Sequence, residues 1–468
     1  MTAPEIISLI LKVLSYGFLG YSILYTTLLV TYVTVGWITL YVRRHKRKFK
    51  NFLVNDIFVP ISIIVPAYNE EMTIVGSIKS MLKLDYSLYE IVIIDDGSKD
   101  QTSQKIIDEF QMHRIYRPIH KMIKCQTEEY IYETYTERVP ITLVRKKNGG
   151  AKADAINMGI NVCKYPYFIC VDADSILQAN SLREIVAPVA EDDAVVAVGG
   201  AIRILNDVTI KEGIVENYRI PRKWLAALQV VEYDRTFASA KFFFNKIKGN
   251  AIISGAFGLF RKNVVIDAGG YSSDAIGEDM ELVMKLSAFC IEHGIPYKID
   301  YIPSAICWTQ APENLRDLRS QRNRWHIGMR HNINKYRRMI LNPRYGSLGS
   351  FTLPIFILFE LLSPTIEVLG IISVIAGLSV GAISIMPVLI LTGAYALFGI
   401  FSSLVAFAAG VQSFDMKLKI DDAVKVIGCC LYEYFFMHWY LLIVRFIASY
   451  RSTKKRVIWK SITRKKID

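Results

Sequence analysis

Residues 5 to 42 form an almost unbroken apolar run whose only charges are Glu5 and Lys12. The run passes directly into Arg43, Arg44, His45, Lys46, Arg47 and Lys48, a basic anchor of the kind retained on the cytosolic side of a bilayer. This pattern predicts an interfacial helix followed by one span at about 17 to 42, with two tight spans as the alternative. A cleaved signal peptide fits less well, because the basic cluster follows the apolar stretch and no small-residue cleavage site precedes it. Near the C-terminus, residues 351 to 381, 386 to 411 and 425 to 448 are each long enough to cross roughly 30 Å of hydrocarbon. About four spans are therefore expected.

Four spans create a conflict. With a cytosolic middle, three C-terminal crossings leave Arg451, Lys454, Lys455, Arg456 and Lys460 outside, against the positive-inside tendency. One segment is accordingly expected to be interfacial or re-entrant. Glu360, Glu367 and Arg445 lie within these apolar stretches, where a charge costs roughly 2.5 to 3.5 kcal/mol, so they should face protein, water or a polar conduit.

Between residues 55 and 340 the periodicity changes to short apolar strands alternating with amphipathic segments, the pattern of a parallel α/β sheet. Ile61 to Pro66 reads as a first strand, with a helix from about 71 to 84, and Tyr89 to Ile94 as a second. Tyr167 to Val171 is a third. Residues 112 to 140, polar and rich in tyrosine (Tyr130, Tyr132, Tyr135), read as a surface excursion. Four regions follow: an N-terminal membrane segment with its basic anchor (1–50), a cytosolic domain (51–310), interfacial helices (311–350) and a C-terminal membrane region (351–468).

Composition agrees with an integral membrane protein: 52% of residues are hydrophobic and mean hydropathy is +0.27. The net charge of +13 comes partly from the anchors and partly from a cluster at 316 to 338. Lipid headgroups and a nucleotide diphosphate account for that cluster, and no nucleic-acid motif accompanies it. Seven cysteines without a Cys-x-x-Cys pair read as reduced or membrane-buried thiols, not a disulfide framework or zinc site.

The candidate chemistry lies at strand ends, where ligands bind in open α/β sheets. The second strand ends in Asp95-Asp96-Gly97, placed to hold the base or ribose of a nucleotide. The third opens into Asp172-Ala173-Asp174, two hard oxygen donors suited to Mg²⁺ or Mn²⁺ bridging to a diphosphate. Asn148-Gly149-Gly150-Ala151-Lys152 allows close backbone approach and offers a lysine to phosphate. Ser254 and Gly255 lie in a small-residue turn able to floor an acceptor site, and Glu278-Asp279 opens a helix expected over Met280 to Phe289. A carboxylate there is a candidate general base, since inverting glycosyl transfer needs one group to take a proton from the acceptor hydroxyl. Gln321, Arg324 and Trp325 supply an amide, a guanidinium and an indole within five residues, just ahead of the membrane region. A basic interfacial helix with a Trp would by itself produce the same five residues.

Taken in order, these motifs resemble the processive, membrane-embedded members of glycosyltransferase family 2, such as cellulose, hyaluronan, chitin-oligosaccharide and poly-N-acetylglucosamine synthases. The resemblance covers residues 55 to 340 by motif and the flanks by membrane architecture. It implies an α/β, glycosyltransferase A-type (Rossmann-like) cytosolic domain inserted between N- and C-terminal transmembrane helices. It further implies that Asp95 and Asp96 contact uridine, Lys152 lies near the nucleotide, and Asp172 and Asp174 serve the metal, with Asp174 the direct ligand. Asp279 would be the base, Arg324 would bind the diphosphate, and Trp325 would stack under the acceptor sugar, with Gln321 beside the donor and Glu278 beside the acceptor. Gly277 stands where the family carries a threonine.

The expected product is a bacterial β-glucan made from UDP-glucose and exported through the protein's own helices. Poly-N-acetylglucosamine or hyaluronan-type synthesis is the first alternative. Single-sugar transfer to a lipid and a nucleotide-sugar-sensing transporter are the others. The lipid bilayer, the nascent polysaccharide and an accessory membrane subunit are the expected partners. A cyclic-dinucleotide regulatory domain and a Phe-x-Val-Thr gating loop are not expected.

Overall fold

The structure is a computed structural model that describes residues 2–50, 59–136, 138–211, 214–413 and 418–451. The side chains of the basic anchor at 43 to 48, and the basic residues Lys454, Lys455, Arg456 and Lys460, lie outside the described residues. Twelve strands are present among the described residues: β1 (Ile61–Ala67), β2 (Tyr89–Asp95), β3 (His113–Ile115), β4 (Glu128–Tyr135), β5 (Pro140–Lys146), β6 (Tyr167–Val171), β7 (Ile176–Leu177), β8 (Val195–Ile204), β9 (Thr209–Lys211), β10 (Ile214–Asn217), β11 (Phe257–Arg261) and β12 (Lys298–Thr309). Ten of them form one sheet in the order β3-β4-β5-β2-β1-β6-β11-β8-β12-β7. β5, β2, β1 and β6 run parallel, so their C-terminal ends share one edge of the sheet. The Ile- and Val-rich runs legible in the sequence are these central strands, covered on both faces.

One face is covered by α2 (Ile74–Met81), α3 (Thr102–Glu109) and α5 (Ser181–Glu191), through side chains such as Ile78, Ile106 and Ile185. The other is covered by α4 (Lys152–Val162), α8 (Lys262–Asp267) and α9 (Glu278–Glu292), through Ile156, Val265 and Leu282. Between them, α6 (Trp224–Arg235) and α7 (Lys241–Lys246) lead toward the apolar helices. α2 is shorter than its apolar pattern predicts, because residues 70–73 first make a turn in which the Glu70 carbonyl accepts from the N–H groups of Thr73 and Ile74. The tyrosine-rich segment is not a surface excursion. β3 pairs antiparallel with β4, and β4 with β5, extending the main sheet at one edge. β4 is only half-covered, so its alternating Tyr and Glu residues look polar in sequence.

The N-terminal apolar run forms one helix without a break, α1 (Ala3–Lys50), of 48 residues. The expected division into an interfacial helix and a span at 17 to 42 is therefore corrected. The outer part of α1 packs on apolar helices: the Ser15 hydroxyl donates to the Ser373 carbonyl, and Tyr21 and Tyr25 stack on Phe359. Its inner part packs on the sheet-bearing half instead, with Tyr32 against Phe243 and Phe244, and Leu40 against the Ala201–Phe242–Tyr301 cluster. Residues after about 30 are apolar because protein covers one side of them.

After β12 come α10 (Leu315–Lys335), α11 (Leu353–Phe356), α12 (Ser363–Ser379), α13 (Ile385–Ser413), α14 (Ile420–Tyr432) and α15 (His438–Tyr450). Three described helices are long and apolar enough to cross a membrane: Pro4–Val42, Ile385–Gln412 and Ile420–Tyr450. The expected span at 351 to 381 is instead a pair, Leu348–Leu361 and Ser363–Ser379, bent by 49°. The charged residues of these stretches gather where the helices meet the sheet-bearing half. Glu367 accepts from Ser363 and meets His438 at 3.0 Å, while Arg235 of α6 pairs with Glu433 at 2.6 Å and reaches Ser403 at 2.8 Å.

A buried ion cluster ties the sheet edge together. Lys146, the last residue of β5, is fully buried and pairs with Asp96 after β2 and, at 2.7 Å, with Asp154 in the first turn of α4. Removing one member of such a cluster leaves charges buried without a counter-ion. Lys146→Met is therefore expected to destabilise the protein by about 3 to 5 kcal/mol, read as a lowered midpoint of thermal unfolding in detergent. An unchanged midpoint would contradict this role.

Candidate active site

The acidic strand ends converge with the start of α9. Asp172, just beyond β6, is about a third exposed and is paired with Lys152, which begins α4 and also donates to the Gly255 carbonyl at 3.1 Å. Gly255 sits at the centre of the group. A methyl placed on it would lie 3.4 Å from Asp279 Cβ, 3.7 Å from Lys152 Nζ and 3.8 Å from Glu278 Oε1. The structure thus brings Lys152, Asp172, Gly255, Glu278 and Asp279 into one cluster, with Ser254 adjoining it. Asp174, two residues after Asp172, is buried.

Two predicted nucleotide ligands are placed differently. Asp95 is fully buried: it accepts from the Ser98 N–H at 2.8 Å and from the Ser103 hydroxyl, and Arg145 lies at 3.8 Å. Asp96 accepts from Lys146 and, at 3.0 Å, from the Gly149 N–H. Both carboxylates are engaged with the protein and shape the Asp95–Ser98 and Asn148–Gly150 turns.

Gly277 has φ +82°, a left-handed conformation that glycine adopts freely and a β-branched residue only with strain. Its carbonyl accepts from Asn332 at 2.8 Å. One turn earlier on α10, Gly328 packs directly on this backbone: a Cβ there would come within 2.8 Å of the Ile276 carbonyl oxygen. One turn later, the Tyr336 hydroxyl donates to buried Glu281 at 2.8 Å, and Glu281 also takes Ser272 at 2.9 Å and Lys335 at 2.9 Å. Spacing of four residues puts Gly328, Asn332 and Tyr336 on one stripe of the helix. None of these was singled out from the sequence, although their spacing from Trp325 was available there.

The same helix carries Gln321, Arg324 and Trp325. Trp325 is 44% exposed. The Arg322 guanidinium covers one indole face at 4.3 Å from the ring centroid and is held by Glu232 of α6 at 2.7 Å. An indole that is partly exposed in this way is able to stack on an apolar sugar face. Gln321 Oε1, Arg322 Nε and Asn323 Oδ1 are buried without a protein hydrogen-bond partner, the condition of polar atoms reserved for ligand or water. Arg324 is half-buried on the same turn.

Electrostatics single out the Glu278–Asp279 pair. Burial raises both carboxyls above the ordinary range, and the partner carboxylate raises Glu278 further; backbone N–H groups and Lys152 oppose the rise at Asp279. Burial works against the charge on Lys152, but Asp172, with Cys170 and Glu278 adding to it, outweighs burial and holds the ammonium well above the usual lysine range. Lys241, whose ammonium donates to the Ile252 carbonyl behind the acceptor turn, is pushed down to about 8 by burial, with Asp279 opposing.

A divalent cation fits Asp172 and Asp174. Their donors are hard oxygens, and the ammonium on Asp172 shows that the site accepts a cation. Among the described residues no group of three or more His, Cys, Asp or Glu could hold a metal alone, so substrate phosphates would complete the shell, as is usual for Mg²⁺.

A mixed sheet with a parallel centre, acidic residues at its strand ends and helices on both faces has the form of a glycosyltransferase A-type domain. Residues 167–448 match glycosyl transferase family group 2, residues 62–123 match glycosyl transferase family 2, and the chain belongs to family group 2. It is 30% identical over 314 residues, 66% of its length, to the poly-beta-1,6-N-acetyl-D-glucosamine synthase of Staphylococcus aureus strain COL, of which the match spans 65%. The corresponding Staphylococcus epidermidis synthase is 30% identical over 268 residues, 57% of this chain and 54% of that one. Among solved structures, the mannosyltransferase PcManGT of Pyrobaculum calidifontis, in complex with GDP-Man and Mn²⁺, aligns with a TM-score of 0.52 at 18% identity, covering 86% of this chain and 100% of that one. At that identity the likeness concerns the fold.

With Asp279 as base, turnover requires its proton to be off, so rate falls as pH falls through its raised pKa. The acid limb of the pH–rate profile is expected above the ordinary carboxylate value of about 4. Lys241→Met, which removes a cation that lowers the Asp279 pKa, should move that limb to higher pH; a limb that stays put excludes the coupling. Asp279→Asn should cut sugar transfer by about 100-fold or more while UDP binding, measured by calorimetry, survives.

Proposed function

We propose that this protein is a processive, inverting glycosyltransferase that polymerises UDP-N-acetylglucosamine on the cytosolic face of the membrane and passes the growing chain between its apolar helices. The observation that carries the reading is the single helix α10. It offers a partly exposed indole at Trp325 and, two turns on, grips the backbone that presents Asp279. A product sugar resting on Trp325 is then the acceptor for the next transfer, which is the geometric requirement for processivity.

In each transfer Asp279 takes the proton of an acceptor hydroxyl, the oxygen forms a bond to the anomeric carbon, and the bond to UDP breaks on the opposite face with inversion. Lys152 and Arg324 would meet the diphosphate. Asp172 and Asp174 would hold Mg²⁺ or Mn²⁺, which when bound offsets charge on the departing diphosphate. The orphaned Gln321 oxygen would accept from a sugar hydroxyl or a water.

The sequence alone favoured UDP-glucose and a β-glucan. The staphylococcal relatives, named for poly-β-1,6-N-acetylglucosamine synthesis, support UDP-N-acetylglucosamine over that choice. Incubation of purified protein with each UDP-sugar and Mn²⁺ or Mg²⁺ tests the reading. Polymer is expected from UDP-N-acetylglucosamine and should be degraded by a β-1,6-specific hexosaminidase. Polymer from UDP-glucose alone would restore the glucan reading, and a single-sugar lipid adduct would remove processivity. Trp325→Ala should shorten the product sharply while UDP release continues.

A further inference from the structure

The helix Ile420–Tyr450 passes every test of composition for a membrane span, with 31 residues and a mean hydropathy of 1.4 over its best window. Its length, about 46 Å at 1.5 Å per residue, exceeds the hydrocarbon thickness. Yet both of its ends touch the catalytic half of the molecule. At the start, Asp422 accepts from the Ile220 N–H at 3.3 Å, and Lys425 donates to the carbonyls of Pro221 at 2.7 Å and Arg222 at 2.8 Å. In the middle, Glu433 pairs with Arg235 of α6, and the Tyr440 hydroxyl donates to the Leu315 carbonyl at the head of α10. At the end, Ser449 meets His326 at 2.7 Å, and Arg330 donates to the carbonyls of Ser449 and Arg451. A segment whose start, middle and end all rest on a domain lying on one side of a bilayer does not cross that bilayer.

The opposite side of this helix is an apolar stripe at helical spacing. Ile420 (83% exposed), Val424, Phe435, Trp439, Ile443 and Tyr450 lie on it, and no described residue covers them to burial. Tyr and Trp on such a stripe suit the headgroup boundary. Other helices are placed to cross: Ser15 of α1 meets Ser373 of α12 away from the catalytic contacts of α1, whereas Gly410 of α13 accepts from Arg203 of β8.

We propose that Ile420–Tyr450 lies along the cytosolic leaflet with its apolar stripe seated in lipid, and that the chain crosses three times, through α1, the α11–α12 pair and α13. The inference rests on the membrane reading above. The basic residues Arg451, Lys454, Lys455 and Arg456 then stay on the same side as Arg43 to Lys48, which removes the charge conflict of a four-span count. It also makes the helix a lipid-supported floor beneath α6 and α10, so the Trp325 platform is held at a fixed depth.

Two exposed positions report the topology in the full-length protein. Ser384→Cys, in the turn between α12 and α13, should react with a membrane-impermeant thiol reagent in intact cells. Arg451→Cys should be protected in intact cells and react only in inside-out vesicles. The native cysteines, all buried or half-buried, set the background. Labelling of Arg451→Cys from outside would overturn the proposal, as would labelling of both positions only from inside, since the helix would then cross. Phe435→Cys, in the stripe, should remain monomeric under oxidation; a disulfide-linked dimer would put a second copy in place of lipid. Recovery of the protein in the soluble fraction would instead remove the membrane reading itself.

Discussion

The contact between Gly328 and the Ile276–Gly277 backbone governs the catalytic geometry. A helix meets a turn there with no side chain between them, and the Asn332 amide fixes the carbonyl in place. The proposed base and the proposed acceptor platform are both referred to that joint. Asp279 is set two residues after Gly277 on one side, and Trp325 less than one turn before Gly328 on the other. Separate loops would let the distance between base and platform drift. A shared helix fixes it, with Glu281 taking Tyr336 and Lys335 as a second fastening.

A second level of organisation is electrostatic. Charged side chains form two bands. One follows the sheet edge, where Lys146 and Lys152 neutralise the carboxylates that end β2 and β6. The other lies where the apolar helices join the catalytic half, with Arg235, Glu433, His438 and Glu367 interleaved. In both bands a charge taken out of water meets a counter-charge held by a different element, so each pairing also fixes how two elements sit relative to one another.

Legibility in the sequence follows the range of the forces involved. Strands β1, β2 and β6 were readable because burial on both faces leaves continuous Ile and Val, and the acidic residues after them follow from the strand ends. β4 was not, since an edge strand covered on one side alternates tyrosine with glutamate and resembles a loop. The candidate residues Lys152, Asp172, Gly255, Glu278 and Asp279 were all named by motif, and the fold brings them together. The burial of Asp95 and Asp96 against Ser103, Lys146 and Gly149 was not legible, because it depends on β5 and α4 arriving at the same edge. Ile420 to Tyr450 shows the sharpest limit: hydropathy measures how apolar a helix is and carries no information about what its ends touch.

The unbroken course of α1 has a mechanical consequence. A helix of 48 residues, about 72 Å long, packs on α12 with its outer part and on α7 with its inner part. It contains no proline after Pro4 and no interruption that would serve as a hinge. It therefore acts as a strut that prevents the catalytic half from rocking against the helical bundle. Under the proposed function, advance of a product by one sugar is then driven by motion of the sugar itself, or of short loops at the cleft, within a frame that does not change its length.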